Sequence, residues 1–406
     1  QIVSTMYALW FMPIGFSIWL EANMTTRFLF LFLTSALGAC ATAPAVDYVE
    51  VERDDLLSGR ALFGEKVLAS EMPDVDVLQI NDDMRAFIAD GVSDANTNVS
   101  RLGRLLSSLV DDGYYEAGYE PSLSQTAEET FATKRGNCLS YTNLFIAMAR
   151  EAGLIVHFQI AQVPPTYDAV RGVLIRNNHV NILVEGGQFY YGGTRDVTID
   201  FNLEDPSGYP TKRVSDGYGV GLYYNNVSVE RWKQGELRAA FAYLLKAFHA
   251  GGAQNADLWV NLGVYYLQGN QYQQAVEAFR VALALDSRNQ SAIGGLGRAF
   301  EGMGDVHQAA EYDAQLSRYR RRNPYYHFAR AQLAYGEQRY DESLDILKRA
   351  IRLRDDDHRF YYLQGMTFRE LGDLAAARSS WTRALEESTL HWQKQRYVEM
   401  LAVVND

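Results

Sequence analysis

The spacing of hydrophobic and polar residues changes along the chain and divides it into two structural classes. Between about residues 60 and 130, apolar side chains such as Leu102 and Leu105 recur every three to four positions, which predicts amphipathic helices. Over residues 156–201 the spacing becomes two, which is typical of strands. From Gly221 onward only the helical spacing remains. The pattern therefore predicts an α+β unit followed by an all-α region.

Three segments in the strand region alternate apolar and polar residues. They cover residues 156–161, 179–184 and 197–201. Two Gly-Gly pairs lie within residues 186–195 and predict an inserted hairpin between the second and third strands. A mixed α+β unit is therefore expected to span roughly residues 55–215.

The all-α region repeats its pattern every 34 residues. Its first unit begins with Trp259, Leu262, Gly263 and Tyr266 and closes with Ala275, Phe279 and Ala282. Steps of 34 residues lead from Gly263 to Gly297, Ala331 and Gly365. Small residues at this position allow two helices to approach closely. The pattern is similar to the tetratricopeptide repeat, and residues 223–251 resemble a fifth, degenerate unit.

Composition narrows the possible partners and cofactors. The chain has 406 residues, 48% of them hydrophobic, which is enough for two or three domains with proper cores. A net charge of −12 argues against nucleic acid as a partner. The two cysteines lack zinc-type spacing and the seven histidines are scattered, so neither a metal site nor a cofactor is predicted.

The N-terminal segment resembles the leader of an exported lipoprotein. Arg27 gives residues 24–40 a short basic start, after which an apolar core and then small residues follow. The sequence Leu-Gly-Ala-Cys ending at Cys40 resembles a bacterial lipobox, in which the cysteine becomes the lipidated first residue of the mature protein. Ala41 follows, in place of the aspartate of an inner-membrane retention signal. The resemblance implies a lipid anchor on the periplasmic face of the outer membrane.

Residues 1–23 leave two possibilities for the start of the protein. The apolar run from Met6 to Leu20 is shorter than a usual membrane span, and the chain opens with Gln1. We expect translation to begin at Met24, and a genuine N-terminal membrane helix is the alternative. Either start predicts export and attachment to a membrane.

Cys138 is the candidate nucleophile. It follows a Gly-Asn pair and precedes a helix-forming stretch from Leu139 to Ala152, so its thiol is expected at a helix N-terminus. Unpaired backbone N–H groups and the helix dipole favour a thiolate there. A buried structural thiol is the alternative, because free cysteines are often buried.

A thiol nucleophile requires a base, and the base requires an orienting group. His179 begins the second strand segment and points opposite to its apolar residues, which makes it the candidate base. Asp200 lies at the end of the third segment and is favoured as the orienting residue, with Asp196 as its rival on the same strand face. Asn181 is expected on the strand surface.

These residues resemble the transglutaminase-like (papain-like) thiol superfamily. The similarity rests on Arg135-Gly-Asn-Cys138-Leu-Ser-Tyr, Asn178-His179-Val-Asn-Ile and Ile199-Asp200-Phe-Asn, although the 21 residues from His179 to Asp200 are more than this superfamily usually has. The resemblance implies that Cys138 attacks a carboxamide, that His179 protonates the leaving amine, and that water or another amine takes the acyl group. It also implies that backbone N–H groups at the Cys138 helix hold the oxyanion. The expected regions are a leader at 1–40, a tether at 41–58, a transglutaminase-like domain at 59–215 and repeats at 220–400, one degenerate and four regular.

The repeats suggest a binding role. Residues that line the concave face in such repeats include Tyr325, Phe328, Tyr335, Tyr362 and Met366. This aromatic set is suited to grip a peptide or a partner helix, and equally to pack between repeats or against the neighbouring domain. The favoured hypothesis is a membrane-anchored thiol enzyme with a protein or peptide substrate, for which hydrolysis is favoured over cross-linking. The alternative is an inactive scaffold that binds peptides or partner proteins.

Overall fold

A computed structural model describes residues 51–114, 118–120, 122–170, 173–190, 193–201, 211–388 and 391–403. The predicted leader, its start at Met24, the lipidation site Cys40 and residues 41–50 of the tether lie outside the described residues. Within the described part of the chain, no helix combines the length and the apolar character that a membrane crossing requires.

The first part of the described chain is helical, as the apolar spacing predicts. Its helices are α1 (Arg53–Ser58), α2 (Arg60–Phe63), α3 (Asp82–Val92), α4 (Asn98–Asp111), α5 (Ala127–Thr133) and α6 (Cys138–Glu151). Side chains cap two of these helices: Thr97 is the N-cap of α4, and Thr126 forms a capping box with Glu129 in α5. Helix α6 is buried on all sides from Leu139 to Ala149, so the helix that begins with Cys138 is the central element of this region.

A four-stranded antiparallel sheet follows α6. Its strands are β1 (Val156–Val170), β2 (Val173–Tyr190), β3 (Gly193–Ile199) and β4 (Thr211–Arg213), in the order β3-β2-β1-β4. β2 and β3 form the hairpin that the glycine pairs predict. Val180, Ile182 and Val184 of β2 are buried and pair with Ile160, Phe158 and Val156 of β1.

β1 and β2 are much longer than the alternation of apolar residues predicts. Pairing continues past a register shift between Ala161 and Thr166, where Pro164 and Pro165 have no N–H group to donate. His179 therefore lies inside β2 and does not begin a strand, which corrects the prediction. The extension was missed because backbone hydrogen bonds form it, without an alternating apolar pattern.

In the part of the chain after the sheet that the structure describes, ten helices form five antiparallel pairs and one more helix follows. They are α7 (Asp216–Gln234), α8 (Leu237–His249), α9 (Ala256–Gln268), α10 (Tyr272–Leu285), α11 (Gln290–Gly302), α12 (Val306–Arg322), α13 (Pro324–Gly336), α14 (Tyr340–Leu353), α15 (His358–Glu370), α16 (Leu374–Glu387) and α17 (His391–Val403). α9 to α16 match the four regular repeats, and α7 and α8 match the degenerate one. At Gly263, an added Cβ would lie 2.6 Å from the Phe279 ring, which explains the small residue at this position.

The α+β region and the first repeats share one hydrophobic core. This core extends from Leu56 through α6 and the sheet to Ala309 in α12. A separate hydrophobic cluster is formed by residues of α13, α14 and α15. One of its members, Phe360, has no exposed surface. The third and fourth repeats therefore have a hydrophobic cluster of their own.

The concave side of the repeats differs between its two halves. β2 lies against α9 and α11, and β1 approaches α13. On α9, Val260 and Val264 are almost fully buried, whereas the equivalent Tyr362 and Met366 on α15 are only half-buried. At these two positions the fourth repeat is therefore more accessible than the first.

Candidate active site

The N-terminus of α6 presents the thiol of Cys138. Asn137 caps the helix: its Oδ1 accepts the N–H of Ser140 at 3.0 Å, and its Nδ2 donates to Ser124 Oγ at 2.9 Å. Gly136 has φ of 151°, and a Cβ at this position would lie 2.4 Å from Ser140 Cβ. The turn thus requires glycine, and it places Cys138 as the first, half-buried residue of the helix.

A short segment beside this turn carries Tyr119, which the sequence analysis missed. Gly136 donates its N–H to Gly118 O and accepts the N–H of Glu120, both at 3.0 Å. The Tyr119 side chain is 47% exposed. Burial of the hydroxyl raises the pKa of the Tyr119 phenol, and the negative charge of an ionised Cys138 acts in the same direction. No sequence pattern connected Tyr119 with Cys138.

The imidazole of His179 is bound to the carboxylate of Asp200. The distance from His179 Nε2 to Asp200 Oδ2 is 2.5 Å, and the two side chains are only 7% and 10% exposed. Nε2 is thus the ring nitrogen that faces the carboxylate. Asp200 also acts electrostatically on Cys138, which places all three groups in one region.

The rival residue Asp196 has a different partner. It is exposed on β3, and its Oδ1 accepts the backbone N–H of Gly186 at 3.0 Å. Gly186 lies at the register shift between Val184 and Gln188 of the β2–β3 hairpin. Asp196 therefore stabilises the irregular part of the hairpin, and the carboxylate at His179 belongs to Asp200.

Asn181 is a further polar group of this site and is fully buried, which corrects its expected place on the strand surface. Its Nδ2 donates to Asp200 Oδ2 at 3.1 Å. The sequence shows that Asn181 and His179 share a strand face, because they are two residues apart. The sequence does not show that this strand face is buried.

The surroundings of Cys138 favour the neutral thiol over the thiolate. Burial raises its pKa to about 11, and the negative charge of Asp200 acts in the same direction. Backbone N–H groups of Leu139 and Cys138 reach the sulfur and lower the pKa, but by less. The helix N-terminus, from which the sequence predicts a thiolate, is therefore opposed at this site by desolvation of the sulfur.

We expect this raised pKa to delay alkylation of Cys138 with increasing pH. The thiolate is the form that reacts with iodoacetamide. An ordinary thiol is half ionised at about pH 9, whereas the labelling rate of a thiol with a pKa of about 11 should still rise above that pH. The rate of iodoacetamide labelling should be followed at the Cys138 peptide by mass spectrometry from neutral pH upward. A reactive plateau at or below neutral pH would contradict this expectation, because it requires a thiolate–imidazolium pair at rest.

The predicted aromatic residues of the repeats lie in packing contacts. Tyr325 and Phe328 of α13 contact Phe360, with ring centroids 5.7 and 5.0 Å apart. The ring of Tyr335 packs on Tyr340, with centroids 5.6 Å apart, and the ring of Tyr362 packs on Tyr397, with centroids 5.9 Å apart. Met366 is half-buried. The packing alternative therefore has direct support, while the partial exposure of these side chains leaves surface for a ligand.

No group of His, Cys, Asp and Glu suited to a metal ion occurs among the residues that the structure describes.

Comparison with protein families identifies both parts of the chain. Residues 85–185 match the transglutaminase-like superfamily. Residues 256–289, 295–358 and 328–391 match tetratricopeptide repeats. These matches confirm the predicted fold class, a transglutaminase-like domain followed by a helical repeat region. A search of curated proteins finds no match.

Several solved structures are similar to part of the chain. YrrB, described as a TPR protein with an unusual peptide-binding site, is 18% identical, with 44% of this chain and 92% of YrrB covered and a TM-score of 0.24. MamA from Desulfovibrio magneticus RS-1 is 16% identical, with 43% and 96% covered and a TM-score of 0.24. PilF of Pseudomonas aeruginosa is 19% identical, with 44% and 82% covered and a TM-score of 0.24. Each similarity extends over less than half of this chain.

Proposed function

We propose that this chain, a transglutaminase-like domain followed by tetratricopeptide repeats, is a thiol enzyme that acts on amide bonds of a protein or peptide. The proposal rests mainly on the buried His179–Asp200 contact at 2.5 Å, within electrostatic reach of Cys138 at the start of α6. A purely structural histidine does not require a buried carboxylate partner beside a helix-terminal thiol.

The chemistry begins from a neutral thiol. As Sγ of Cys138 attacks the carbonyl carbon, His179 takes the thiol proton and Asp200 stabilises the imidazolium. We assign the oxyanion to the backbone N–H groups at the start of α6, since those of Cys138 and Leu139 already reach the sulfur. His179 then gives its proton to the leaving amine as the carbon–nitrogen bond breaks, which leaves a thioester on Cys138. Water attacks the thioester with His179 as base, and the acid product and the free thiol are formed.

Hydrolysis is the favoured outcome because Cys138 is only half-buried. Water at high concentration reaches a partly open thioester more often than an amine does. Transfer to an amine requires a second binding site that orients the acceptor. Carboxamide peptides with a fluorescent primary amine therefore provide the comparison, and incorporation of the amine faster than release of free acid would reverse this preference.

A general acyl donor tests the proposed nucleophile without knowledge of the substrate. Wild-type protein and p-nitrophenyl acetate should give a burst of nitrophenolate, and the acetyl group should be found on the Cys138 peptide and be removed by hydroxylamine. The Cys138→Ala and His179→Ala variants should lose the burst. If both variants keep the wild-type burst, or the label is confined to Cys40, the enzyme hypothesis is excluded.

The raised pKa of Cys138 supports a second candidate, an inactive scaffold that binds peptides or partner proteins. A neutral thiol without effective base assistance acylates slowly, and the repeats then provide the whole function. The burst assay separates the two candidates: the scaffold predicts equal, slow acylation in the wild type and in His179→Ala.

We also propose that Cys40 attaches the protein to a membrane and that the repeats bind a protein partner or substrate. The lipobox-like sequence before Cys40 supports the anchor. Cys40→Ser is expected to move the protein from the membrane fraction to the soluble fraction, and retention in the membrane would shift the tether to residues 1–23.

A further inference from the structure

The side chain of Asn181 makes a single hydrogen bond in this structure, and that bond is to Asp200. Its Nδ2 donates to Asp200 Oδ2 at 3.1 Å, the same oxygen that lies 2.5 Å from His179 Nε2. Asn181 has no exposed surface, and its Oδ1 has no hydrogen-bond partner. Because a carboxylate only accepts hydrogen bonds, the amide nitrogen is the atom that must face it.

The unpaired oxygen shows that Asn181 is a poor choice for stability alone. A buried carbonyl without a donor costs free energy, and an apolar residue of similar size avoids that cost. The neighbouring Val180 and Ile182 are apolar and buried in the core. The contribution that Asn181 makes here, and that a leucine does not make, is the hydrogen bond to Asp200.

We propose that Asn181 is a positioning residue for acyl transfer, an inference that rests on the proposed function. The amide of Asn181 and the imidazole of His179 hold the same oxygen, Oδ2, so the amide restrains rotation of the Asp200 carboxylate. A second donor on this oxygen also favours the ionised carboxylate in a buried site. The imidazole of His179 is then held with Nε2 on Asp200.

Asn181→Leu tests the proposal because it removes the donor and the unpaired oxygen together. We expect the rate of the p-nitrophenyl acetate burst to fall by about tenfold to a hundredfold, the usual range for loss of a hydrogen bond to a charged group. The thermal unfolding midpoint should stay the same or rise. The matched control is Gln159→Leu: Gln159 pairs with Asn181 across the sheet, is buried and also has an unpaired amide oxygen. Gln159→Leu should keep the wild-type burst.

Asn181→Asp adds a pH-dependent test that a structural role does not satisfy. The new carboxyl group faces Asp200, so two carboxylates share the site with the imidazole of His179 and the thiol of Cys138. Near neutral pH their repulsion should suppress the burst. On acidification one carboxyl group takes a proton and becomes a donor to Asp200, so the rate relative to wild type should recover in part.

Three results would overturn the inference. The first is a wild-type burst rate in Asn181→Leu. The second is a rate loss in Asn181→Leu that is matched by Gln159→Leu or accompanied by a lower unfolding midpoint. The third is a ratio of the Asn181→Asp burst rate to the wild-type burst rate that is the same at every pH. A wild-type burst that is independent of His179 would instead overturn the proposed function and this inference with it.

Discussion

Asp200→Asn is expected to lower the rate of acylation of Cys138 by a factor on the order of 10³ to 10⁴. Asparagine has the size of aspartate, so the fold around His179 should persist. It has no negative charge, and the imidazolium that forms when His179 takes the thiol proton loses its stabilising partner. The orientation of the ring is lost too, because an amide can present either its oxygen or its nitrogen to Nε2. The measurement is the pre-steady-state burst with p-nitrophenyl acetate.

Asp196→Asn is the matched control on the same stretch of chain. Asp196 is exposed, and Asn keeps an oxygen that accepts the N–H of Gly186, so the hairpin contact at 3.0 Å persists. The burst rate should remain within about twofold of wild type, as is usual for surface substitutions. If Asp196→Asn proves as damaging as Asp200→Asn, the assignment of the orienting residue to Asp200 is wrong.

Cys138, His179 and Asp200 could be proposed from the sequence because helix capping and strand parity depend on neighbouring residues. A helix start requires a cap and a tight turn, and the Gly-Asn pair before Cys138 marks both. Strand parity placed His179 and Asp200 opposite to apolar neighbours. What parity does not supply is the distance between strands. The choice between Asp200 and Asp196 therefore required the register of β2 and β3, in which Ile182 pairs with Ile199 and brings Asn181 opposite Asp200.

The ionisation of the thiol is the property of the site that the sequence predicts least well. The helix N-terminus is visible in the sequence, whereas burial of Cys138 depends on residues far away in the chain. For the fold, the helical repeat was predictable because packing of small against large residues recurs every 34 positions. The long β1–β2 hairpin was not, because its outer part follows two prolines without an alternating apolar pattern.

The second large effect is expected from Phe360→Ala in α15. Phe360 is fully buried, and Tyr325 and Phe328 pack on its ring, so its removal leaves a cavity between two repeats. Truncation of a buried phenylalanine costs about 3–5 kcal/mol of the free energy of unfolding. Since each repeat contacts mainly its neighbours, the loss should appear in the third and fourth repeats. Denaturant unfolding followed by circular dichroism should then show an early transition.

The same variant tests the independence of the two halves of the molecule. Phe360 belongs to a cluster separate from the core that contains α6 and the sheet. The burst at Cys138 should therefore be unchanged at denaturant concentrations at which the early transition is complete. Leu333→Ala is the control on α13: Leu333 is 60% exposed, and its truncation should change stability by no more than about 0.5 kcal/mol. If Phe360→Ala unfolds the whole chain in one transition and abolishes the burst with it, then the last repeats support the thiol site directly. Tyr325 and Phe328 would then contribute to that site through packing, a role distinct from gripping a peptide.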